Sequence, residues 1–209
     1  MLKLPAYAIN HDNNRLQYVH NLMVATKLTI NISKASDGSE WWNSGIQLKH
    51  PWGNEVLTRG TMGCTKSHLN LLTTENRDGV IIFEDDAELI MSMDNVDRFV
   101  ESIHKTYGNN WDIILLGANE YVSSKPLSHE ITRVYRFWGT HAMIVNANSY
   151  DYIKKTFFDS MEDGIFLPAD WMYNETIRRF KLRVFAPSSP QLFFRQVPGL
   201  VSGITGRVR

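Results

Sequence analysis

The hydrophobic and polar positions along the chain predict alternating strands and helices. Short apolar runs bounded by polar residues are typical of buried strands, whereas apolar residues spaced three and four apart indicate helices that bury one face. We predict strands over residues 4–9, 80–83, 112–116, 131–138, 141–146 and 182–185, and helices over 64–77, 94–107, 149–158 and 168–180. The remaining segments are predicted to be a polar loop over 10–15, a long loop with at most short structured pieces over 36–61, and an aperiodic tail after 185.

This order of elements predicts the α/β class. The front of the chain alternates strand, helix and strand, the layout of a nucleotide-binding domain with a central mixed, mostly parallel sheet flanked by helices. We expect residues 1–209 to form a single domain, which can itself be a fragment of a longer chain. The sequence has neither a GxGxxG nor a GxxxxGK[ST] motif, so we do not expect a glycine-rich cradle for phosphates.

Composition narrows the class of protein. The 209 residues are 43% hydrophobic and 21% charged with zero formal net charge, as in an ordinary globular protein. No apolar run approaches the roughly 18 residues that span a bilayer, and the N-terminus becomes polar too soon for a secretory signal. The single cysteine, Cys64, fits a reducing compartment. We therefore expect a cytoplasmic protein without a transmembrane segment, and its scattered bases do not indicate a nucleic-acid partner.

Three consecutive carboxylates follow the apolar run 80–83 directly. Glu84, Asp85 and Asp86 are thus expected at the carboxyl end of a central strand, where open α/β sheets bind ligands. Their mutual repulsion is relieved by protonation, by basic partners or by a divalent cation. Oxygen ligands of this kind suit Mg²⁺ or Mn²⁺, which in turn hold substrate phosphates. The alternative is a solvated acidic turn after the strand.

Charge is unevenly distributed along the chain. Residues 75–120 contain eleven acids and three bases, whereas the residues after Glu175 contain seven bases and no acid. A diphosphate bridged between a metal on the acids and arginines of the tail would use this asymmetry, because guanidinium groups match phosphate oxygens. The alternative is a tail that is merely solvated.

Two neighbouring blocks carry a family resemblance. Residues 63–69 read Gly-Cys-Thr-Lys-Ser-His-Leu, and residues 81–86 read Ile-Ile-Phe-Glu-Asp-Asp after a short predicted helix. Together they resemble glycosyltransferase family 25, the lipooligosaccharide and collagen galactosyltransferase family. Weaker matches over 111–114, 139–142 and 187–204 extend the resemblance to nearly the whole chain.

The resemblance implies a GT-A fold in which the Glu-Asp-Asp run takes the role of the DxD motif. Members of the family transfer a hexose, typically glucose or galactose, from a UDP-sugar donor to a hydroxyl of a glycan acceptor or of hydroxylysine. The resemblance further implies Mn²⁺ or Mg²⁺ as cofactor, bound by Asp86 with Glu84 or Asp85 in support. Such a cation neutralises the charge that develops on the leaving diphosphate.

Asp170 is the candidate catalytic residue. An inverting transfer, as in this family, needs a carboxylate that takes the proton of the acceptor hydroxyl. Asp170 follows Pro168 at the start of a predicted helix, far in sequence from the metal-binding acids. An aspartate at such a place is often simply a helix N-cap, and the two roles are compatible.

Further residues are candidates for binding the cofactor or the donor, and these are Asn10, Arg15, Lys66, His68, Glu84, Asp85, Arg195 and Gln196. Lys66 is placed to reach a phosphate, whereas a histidine such as His68 is more often a packed residue that holds a loop. Trp41, Trp42 and Trp52 in the long loop either stack on sugar rings or cover the core.

Two other classes of protein stay open. A metal-dependent phosphoesterase or nucleotidyltransferase would also use carboxylates at strand ends, but it needs further Asp or His ligands that the sequence does not clearly offer. A non-catalytic carbohydrate-binding domain would keep the tryptophans without needing the acidic run.

Overall fold

The computed structural model describes residues 3–42, 57–123 and 130–200. Its helices are α1 (Leu16–Thr26), α2 (Ser39–Trp42), α3 (Arg59–Leu71), α4 (Met93–Tyr107), α5 (Tyr150–Glu162) and α6 (Ala169–Phe180). Its strands are β1 (Ala6–Asn10), β2 (Ile30–Lys34), β3 (Gly79–Glu84), β4 (Ala87–Leu89), β5 (Ile113–Gly117), β6 (Glu120–Ser123), β7 (Thr132–Trp138), β8 (Ala142–Asn146), β9 (Val184–Ala186) and β10 (Phe194–Gln196). Among these described helices, none has both the length and the apolar character needed to cross a membrane.

Eight of the strands form one central sheet in the order β2-β1-β3-β8-β5-β9-β7-β6. Within it, β7 and β8 run opposite to the other strands. The strands β4 and β10 form a separate antiparallel pair beside it. The expected α/β fold with a mixed central sheet flanked by helices is therefore confirmed.

Helices cover both faces of the sheet because its central strands are apolar on both sides. In β3, Val80 and Ile82 belong to a core cluster shared with α3, α5 and α6. Ile81 and Phe83 belong to a second cluster shared with α1 and α4. Successive residues of a strand point to opposite faces, so a strand covered on both faces needs a continuous apolar run. The core thus has two layers, one on each side of the sheet.

Most of the predicted elements are present with small shifts at their ends. The helix predicted over 64–77 is wrong at both ends. It begins at Arg59, because the Thr58 hydroxyl caps it by accepting a hydrogen bond from the Thr61 N–H at 3.1 Å. It ends at Leu71, whose carbonyl accepts a hydrogen bond from the Asn76 side-chain amide at 2.7 Å.

The hydrophobic pattern does not predict α1, β2 and β10. Val24 of α1 is 79% exposed and Ile32 of β2 is 44% exposed, so apolar residues on outer faces obscure the periodicity. The strand β10 has three residues, too few to show a period, and it forms by pairing with β4 inside the segment predicted to be aperiodic. The predicted long loop contains α2 and the start of α3, and its residues 43–56 lie outside the described ranges.

The strand order creates a crevice at one edge of the sheet. The central strand β1 lies between β2 and β3 and is parallel to both. The connection after β1 leads to β2 on one side, and β3 lies on the other side, so the order of the strands reverses at β1. Open α/β sheets bind ligands at such a reversal of strand order. Asn10 is opposite Lys34, and Ile9 is opposite Glu84. The acidic run therefore emerges beside the loop that follows β1.

The loop after β2 is packed tightly against α3 at two glycines. A Cβ on Gly63 would lie 2.3 Å from the Ser36 carbonyl oxygen, and a Cβ on Gly38 would lie 2.2 Å from the Arg59 carbonyl oxygen. The Ser36 N–H also donates a hydrogen bond to Ser67 Oγ at 2.8 Å. This contact fixes the loop and α3 relative to each other at the wall of the crevice.

We expect Gly63→Ala to lower the free energy of unfolding by about 1–3 kcal/mol, the usual cost of forcing extra volume into a packed site. In an unconstrained helix the same change would stabilise by about 1 kcal/mol, since glycine is a poor helix former. Urea denaturation of the variant and the wild type measures the difference. A variant as stable as the wild type would show that the loop does not constrain α3.

Candidate active site

The acids at the end of β3 line a cleft with a volume of about 440 Å³. Glu84 is the last residue of the strand, and Asp85 and Asp86 form the turn that leads into β4. The rest of the wall comes from the loops after β1 and β2 and from α3, and it includes Ile9, His11, Arg15, residues 35–38, Arg59, Gly60 and Cys64. The volume is within the range of pockets that bind small ligands.

Asp85 is held by the loop after β1. One of its carboxylate oxygens accepts a hydrogen bond from the Arg15 guanidinium at 2.6 Å, and the other accepts one from the His11 N–H at 2.7 Å. The side chains of Arg15 and Asp85 are only 13% and 5% exposed, so the ion pair is shielded from solvent. The structure thus brings two of the predicted binding residues together in the cleft, as partners of each other.

Asp86 is held by the C-terminal strand β10. Gln196 Nε2 donates a hydrogen bond to its carboxylate at 3.4 Å, and the Val197 N–H donates one to its backbone carbonyl at 2.8 Å. Arg195 points the other way, where its Nε donates to Glu88 at 2.7 Å and its side chain is 44% exposed. Neighbouring residues of a strand face opposite sides. Gln196 therefore lies beside the acids, and Arg195 does not.

Glu84 receives its contacts from α3 and from the segment between β7 and β8. Thr140 Oγ1 donates a hydrogen bond to Glu84 Oε1, and His68 Nε2 lies 3.8 Å from the same oxygen. Burial opposes ionisation of this carboxyl, but attraction to His68 and the hydrogen bond from Thr140 outweigh it and hold its pKa well below the usual value. Glu84 is therefore ionised at neutral pH, as a cation ligand must be.

A second pocket of about 310 Å³ adjoins the first. Cys64 and Glu84 line both pockets, and the second is also lined by Thr61, Asn119, residues 138–140 and residues 168–170. The predicted base Asp170 is therefore brought into the same cleft as the acidic run, although the two are far apart in sequence. Glu84 is the acid that both pockets share.

Backbone N–H groups orient the Asp170 carboxylate. It accepts a hydrogen bond from the Trp171 N–H at 2.9 Å and another from the Gly139 N–H. Burial raises the pKa of Asp170 above that of an ordinary aspartate, the charge of Glu84 adds to this effect, and the hydrogen bonds only partly oppose it. Pro168, rather than Asp170, occupies the N-cap position of α6. N-capping therefore does not account for this aspartate.

Two features around the second pocket have no signal in the hydrophobic pattern. Gly139 has a φ of +80°, and a Cβ there would lie 2.7 Å from Asn119 Nδ2. The guanidinium of Arg136 lies 4.7 Å from the ring of Trp138 and 4.9 Å from the ring of Trp171. Arg136 and Trp138 are two residues apart on β7, but Asn119 and Trp171 are distant in sequence from Gly139 and Arg136, so only the fold reveals those two contacts.

Lys66 is directed away from the acidic run, and Trp41 takes the second of its two expected roles. Lys66 pairs with Glu40 and lies 5.6 Å from the ring of Trp41, so it is directed toward α2 rather than toward the acids. Trp41 packs on two core phenylalanine rings at centroid distances of 5.3 and 5.7 Å, which makes it a cover for the core. The side chain of Trp42 and the whole of Trp52 lie outside the described structure.

Asn10 and His68 are buried polar residues near the acidic run. Asn10 ends β1 at 6% exposure, and its Oδ1 has no hydrogen-bond partner within residues 3–42, 57–123 and 130–200. His68 is 0% exposed, and its Nδ1 lies 3.2 Å from the Tyr173 hydroxyl. His68 is thus a packed histidine that also faces Glu84.

The oxygen donors of the cleft fit a hard divalent cation. Glu84 and Asp86 present carboxylates to the same pocket, whereas the charge of Asp85 is already paired with Arg15. Two carboxylates leave coordination positions for water and for phosphate oxygens, which is how proteins usually bind Mg²⁺ and related ions. The donor types of Glu84 and Asp86 therefore suit the cation that the family resemblance implies.

Comparison with known proteins gives one family match and distant structural similarities. The family described as Glycosyltransferase family 25 (LPS biosynthesis protein) matches residues 4–177. A search of curated proteins finds no match. One similar solved structure is a UDP-glucose pyrophosphorylase complexed with UDP-glucose, with a TM-score of 0.44 and 9% identity over 88% of this chain and 73% of that chain. Another is mouse xyloside xylosyltransferase 1 in its apo form, with a TM-score of 0.40 and 8% identity over 85% and 69% of the two chains.

We expect Arg15→Gln to lower the free energy of unfolding by about 3 kcal/mol, because it leaves the buried charge of Asp85 without its partner. Adding Asp85→Asn to this variant should recover part of the loss, since the charge of Asp85 is then gone, whereas Asp86, whose carboxylate lies 3.9 Å from Arg15, still lacks that guanidinium. Arg195→Gln is the matched control, because its ion pair with Glu88 is exposed and such pairs contribute less than about 1 kcal/mol. Denaturant unfolding measures the differences, and equal losses in Arg15→Gln and Arg195→Gln would contradict the importance of the buried pair.

Proposed function

We propose that this chain, which belongs to glycosyltransferase family 25, transfers a hexose from a UDP-sugar to a hydroxyl group of a glycan or protein-linked glycan, with Mn²⁺ or Mg²⁺ as cofactor. The observation that carries the proposal is the double cleft, in which one pocket contains the acidic run, the other contains Asp170, and Glu84 lines both. A transfer between two bound substrates needs adjoining sites that hold donor and acceptor in reacting geometry.

The first pocket offers groups that suit a nucleoside diphosphate. Ile9 and Ala35 contribute apolar surface, and Arg15 and Arg59 contribute guanidinium groups. Guanidinium groups bind phosphate oxygens in pairs of parallel hydrogen bonds. Each of these arginines also pairs with an aspartate of the same pocket, which holds its charged group at the wall. We therefore assign the donor to this pocket.

Asp86 and Glu84 would hold the cation in this proposal. When bound, a divalent cation neutralises negative charge on the diphosphate that leaves the sugar. The side-chain amide of Gln196 contacts the Asp86 carboxylate, so the C-terminal strand positions one of the two ligands. Thr140 positions the other by its hydrogen bond to Glu84. Both carboxylates are thus fixed by residues from distant parts of the chain.

Asp170 would take the proton of the acceptor hydroxyl at its carboxylate. Its raised pKa makes it a stronger base than an ordinary aspartate, and the N–H groups of Gly139 and Trp171 fix its orientation. Trp138 lines the same pocket and offers a flat apolar ring to an acceptor sugar. Attack by the hydroxyl oxygen on the side of the anomeric carbon opposite the diphosphate inverts the configuration of that carbon.

We expect Asp86→Asn to abolish Mn²⁺-dependent release of UDP, because a neutral amide is a poorer cation ligand than a carboxylate. The assay incubates the protein with Mn²⁺, a glycan mixture and each of several UDP-sugars in turn. Glu88→Gln is the matched control, since Glu88 is a neighbouring acid that pairs with Arg195 instead, and it should keep the wild-type rate. The proposal fails if no UDP-sugar is turned over by the wild type, or if Asp86→Asn is as active.

We expect Asp170→Asn to lower kcat by about 10²–10⁴-fold, the usual contribution of a general base. Binding of UDP with Mn²⁺, measured by calorimetry, should stay at the wild-type level, because Asp170 lies in the other pocket. Asp94→Asn is the matched control, since Asp94 is an exposed aspartate in the first turn of α4. An equal loss of kcat in both variants would show that Asp170 only stabilises the first turn of its helix and is not the base.

A further inference from the structure

A thiol, an imidazole and a carboxylate meet where the two pockets join. Ligand atoms of Cys64, His68 and Glu84 all lie within 4.8 Å of one another. Cys64 and His68 are four residues apart on α3, a spacing that puts two side chains on the same face of a helix. Glu84 reaches them from the end of β3. The roles of the acidic run and of Asp170 do not require the thiol.

His68 is arranged to accept a ligand on one ring nitrogen. The residue is 0% exposed, and the Tyr173 hydroxyl lies 3.2 Å from its Nδ1. Its Nε2 has no hydrogen-bond partner in the described part of the chain and lies 3.8 Å from Glu84 Oε1, beyond hydrogen-bond length. A buried nitrogen without a hydrogen bond costs free energy even though the Glu84 carboxylate attracts it, and a bound cation would satisfy both groups. Metal-binding histidines typically make such a second contact through the other nitrogen.

We propose that Cys64, His68 and Glu84 bind Zn²⁺ through the thiolate, Nε2 and a carboxylate oxygen, at a site that shares Glu84 with the proposed cation site but does not include Asp86. Tetrahedral Zn²⁺ sites accept this mixture of sulfur, nitrogen and oxygen, with neighbouring ligand atoms about 3.5 Å apart. The distance of 3.8 Å between His68 Nε2 and Glu84 Oε1 is already close to that value. One thiolate and one carboxylate balance the charge of the ion, which favours binding at a shielded place.

The donor set selects Zn²⁺ over Mn²⁺. Thiolate and imidazole are ligands that Zn²⁺ prefers, whereas Mn²⁺ prefers carboxylates, carbonyls and water. Three protein ligands leave one coordination position of Zn²⁺ open. Because Cys64 and Glu84 line both pockets, that position opens into the cleft rather than into the core.

A Zn²⁺ ion at this place would use Glu84, which the proposed transfer needs as a ligand of its own cation. Zn²⁺ is therefore expected to inhibit the enzyme in the presence of Mn²⁺. This consequence rests on the proposed function, but the binding of Zn²⁺ does not. Zn²⁺ binding and glycosyl transfer can therefore be tested independently, because an optical measurement of metal binding needs no sugar substrate.

The experiment titrates the metal-free, reduced chain with Co²⁺, a spectroscopic substitute for Zn²⁺, and then displaces Co²⁺ with Zn²⁺. We expect a sulfur-to-cobalt charge-transfer band, which must come from Cys64 because the chain has one cysteine, and Cys64→Ser should remove it. Tyr173→Phe keeps all three ligands but removes the hydroxyl at His68, and it should weaken Zn²⁺ binding by about 10–100-fold. Asp86→Asn is the control and should leave band and affinity unchanged.

A wild-type protein without the charge-transfer band overturns the proposal. Equal Zn²⁺ affinity in the wild type and in His68→Ala does so as well, because it shows that His68 is not a ligand, and equal affinity in Tyr173→Phe contradicts the orienting role of that hydroxyl. Loss of the band in Asp86→Asn would make Asp86 a ligand of the same ion and would contradict a site made by Cys64, His68 and Glu84. Circular dichroism of each variant confirms that a weaker affinity does not arise from unfolding.

Discussion

Three carboxylates leave the end of one buried strand, and each is held by a different part of the chain. Asp85 is held by the loop after β1, Asp86 by β10, and Glu84 by α3 and the segment between β7 and β8. Crowded acids repel one another unless partners or a cation relieve the repulsion. The loop after β1, the helix α3 and the strand β10 supply these partners, so all three meet at one edge of the sheet. The cleft is thus assembled around the need to neutralise this charge.

Glu84 occupies the central place in that arrangement. It lines both pockets, and its ligand atoms lie close to the thiol and imidazole of α3, while Asp86 lines the first pocket beside it. The same carboxylate can therefore belong to a hard site with Asp86 or to a softer site with Cys64 and His68. In the proposed mechanism, the ion that is present would decide whether Glu84 supports transfer or is withdrawn from it. A family 25 glycosyltransferase built in this way would respond to the ratio of two metals.

The central parts of the fold and of the site could be predicted from the sequence. The run 80–83 is apolar at every position, as a strand covered on both faces must be, and it locates the acids without ambiguity. Asp170 could be predicted at a helix start because Pro168 marks the boundary. Both predictions rest on local chemistry that the fold does not override.

The parts of the site that could not be predicted depend on contacts between distant residues, which produce no periodic pattern in the sequence. Gln196 and Arg195 are neighbours in sequence, and only the pairing of β10 with β4 decides which of them faces the acids. Lys66 lies in the family-like block, yet its partner Glu40 is on the four-residue helix α2, which is too short to predict. The stack of Arg136 between rings of β7 and α6 likewise requires two distant elements to meet.

The most direct test of the proposed cation site is a crystal structure of the protein with UDP and Mn²⁺, in which anomalous scattering locates the manganese. We predict a manganese peak in the cleft of about 440 Å³, bound by carboxylate oxygens of Asp86 and Glu84 and by oxygens of the diphosphate. UDP bound elsewhere, or bound in the cleft with no manganese at either carboxylate, would contradict the claim that the acidic run is the cation site of a glycosyltransferase.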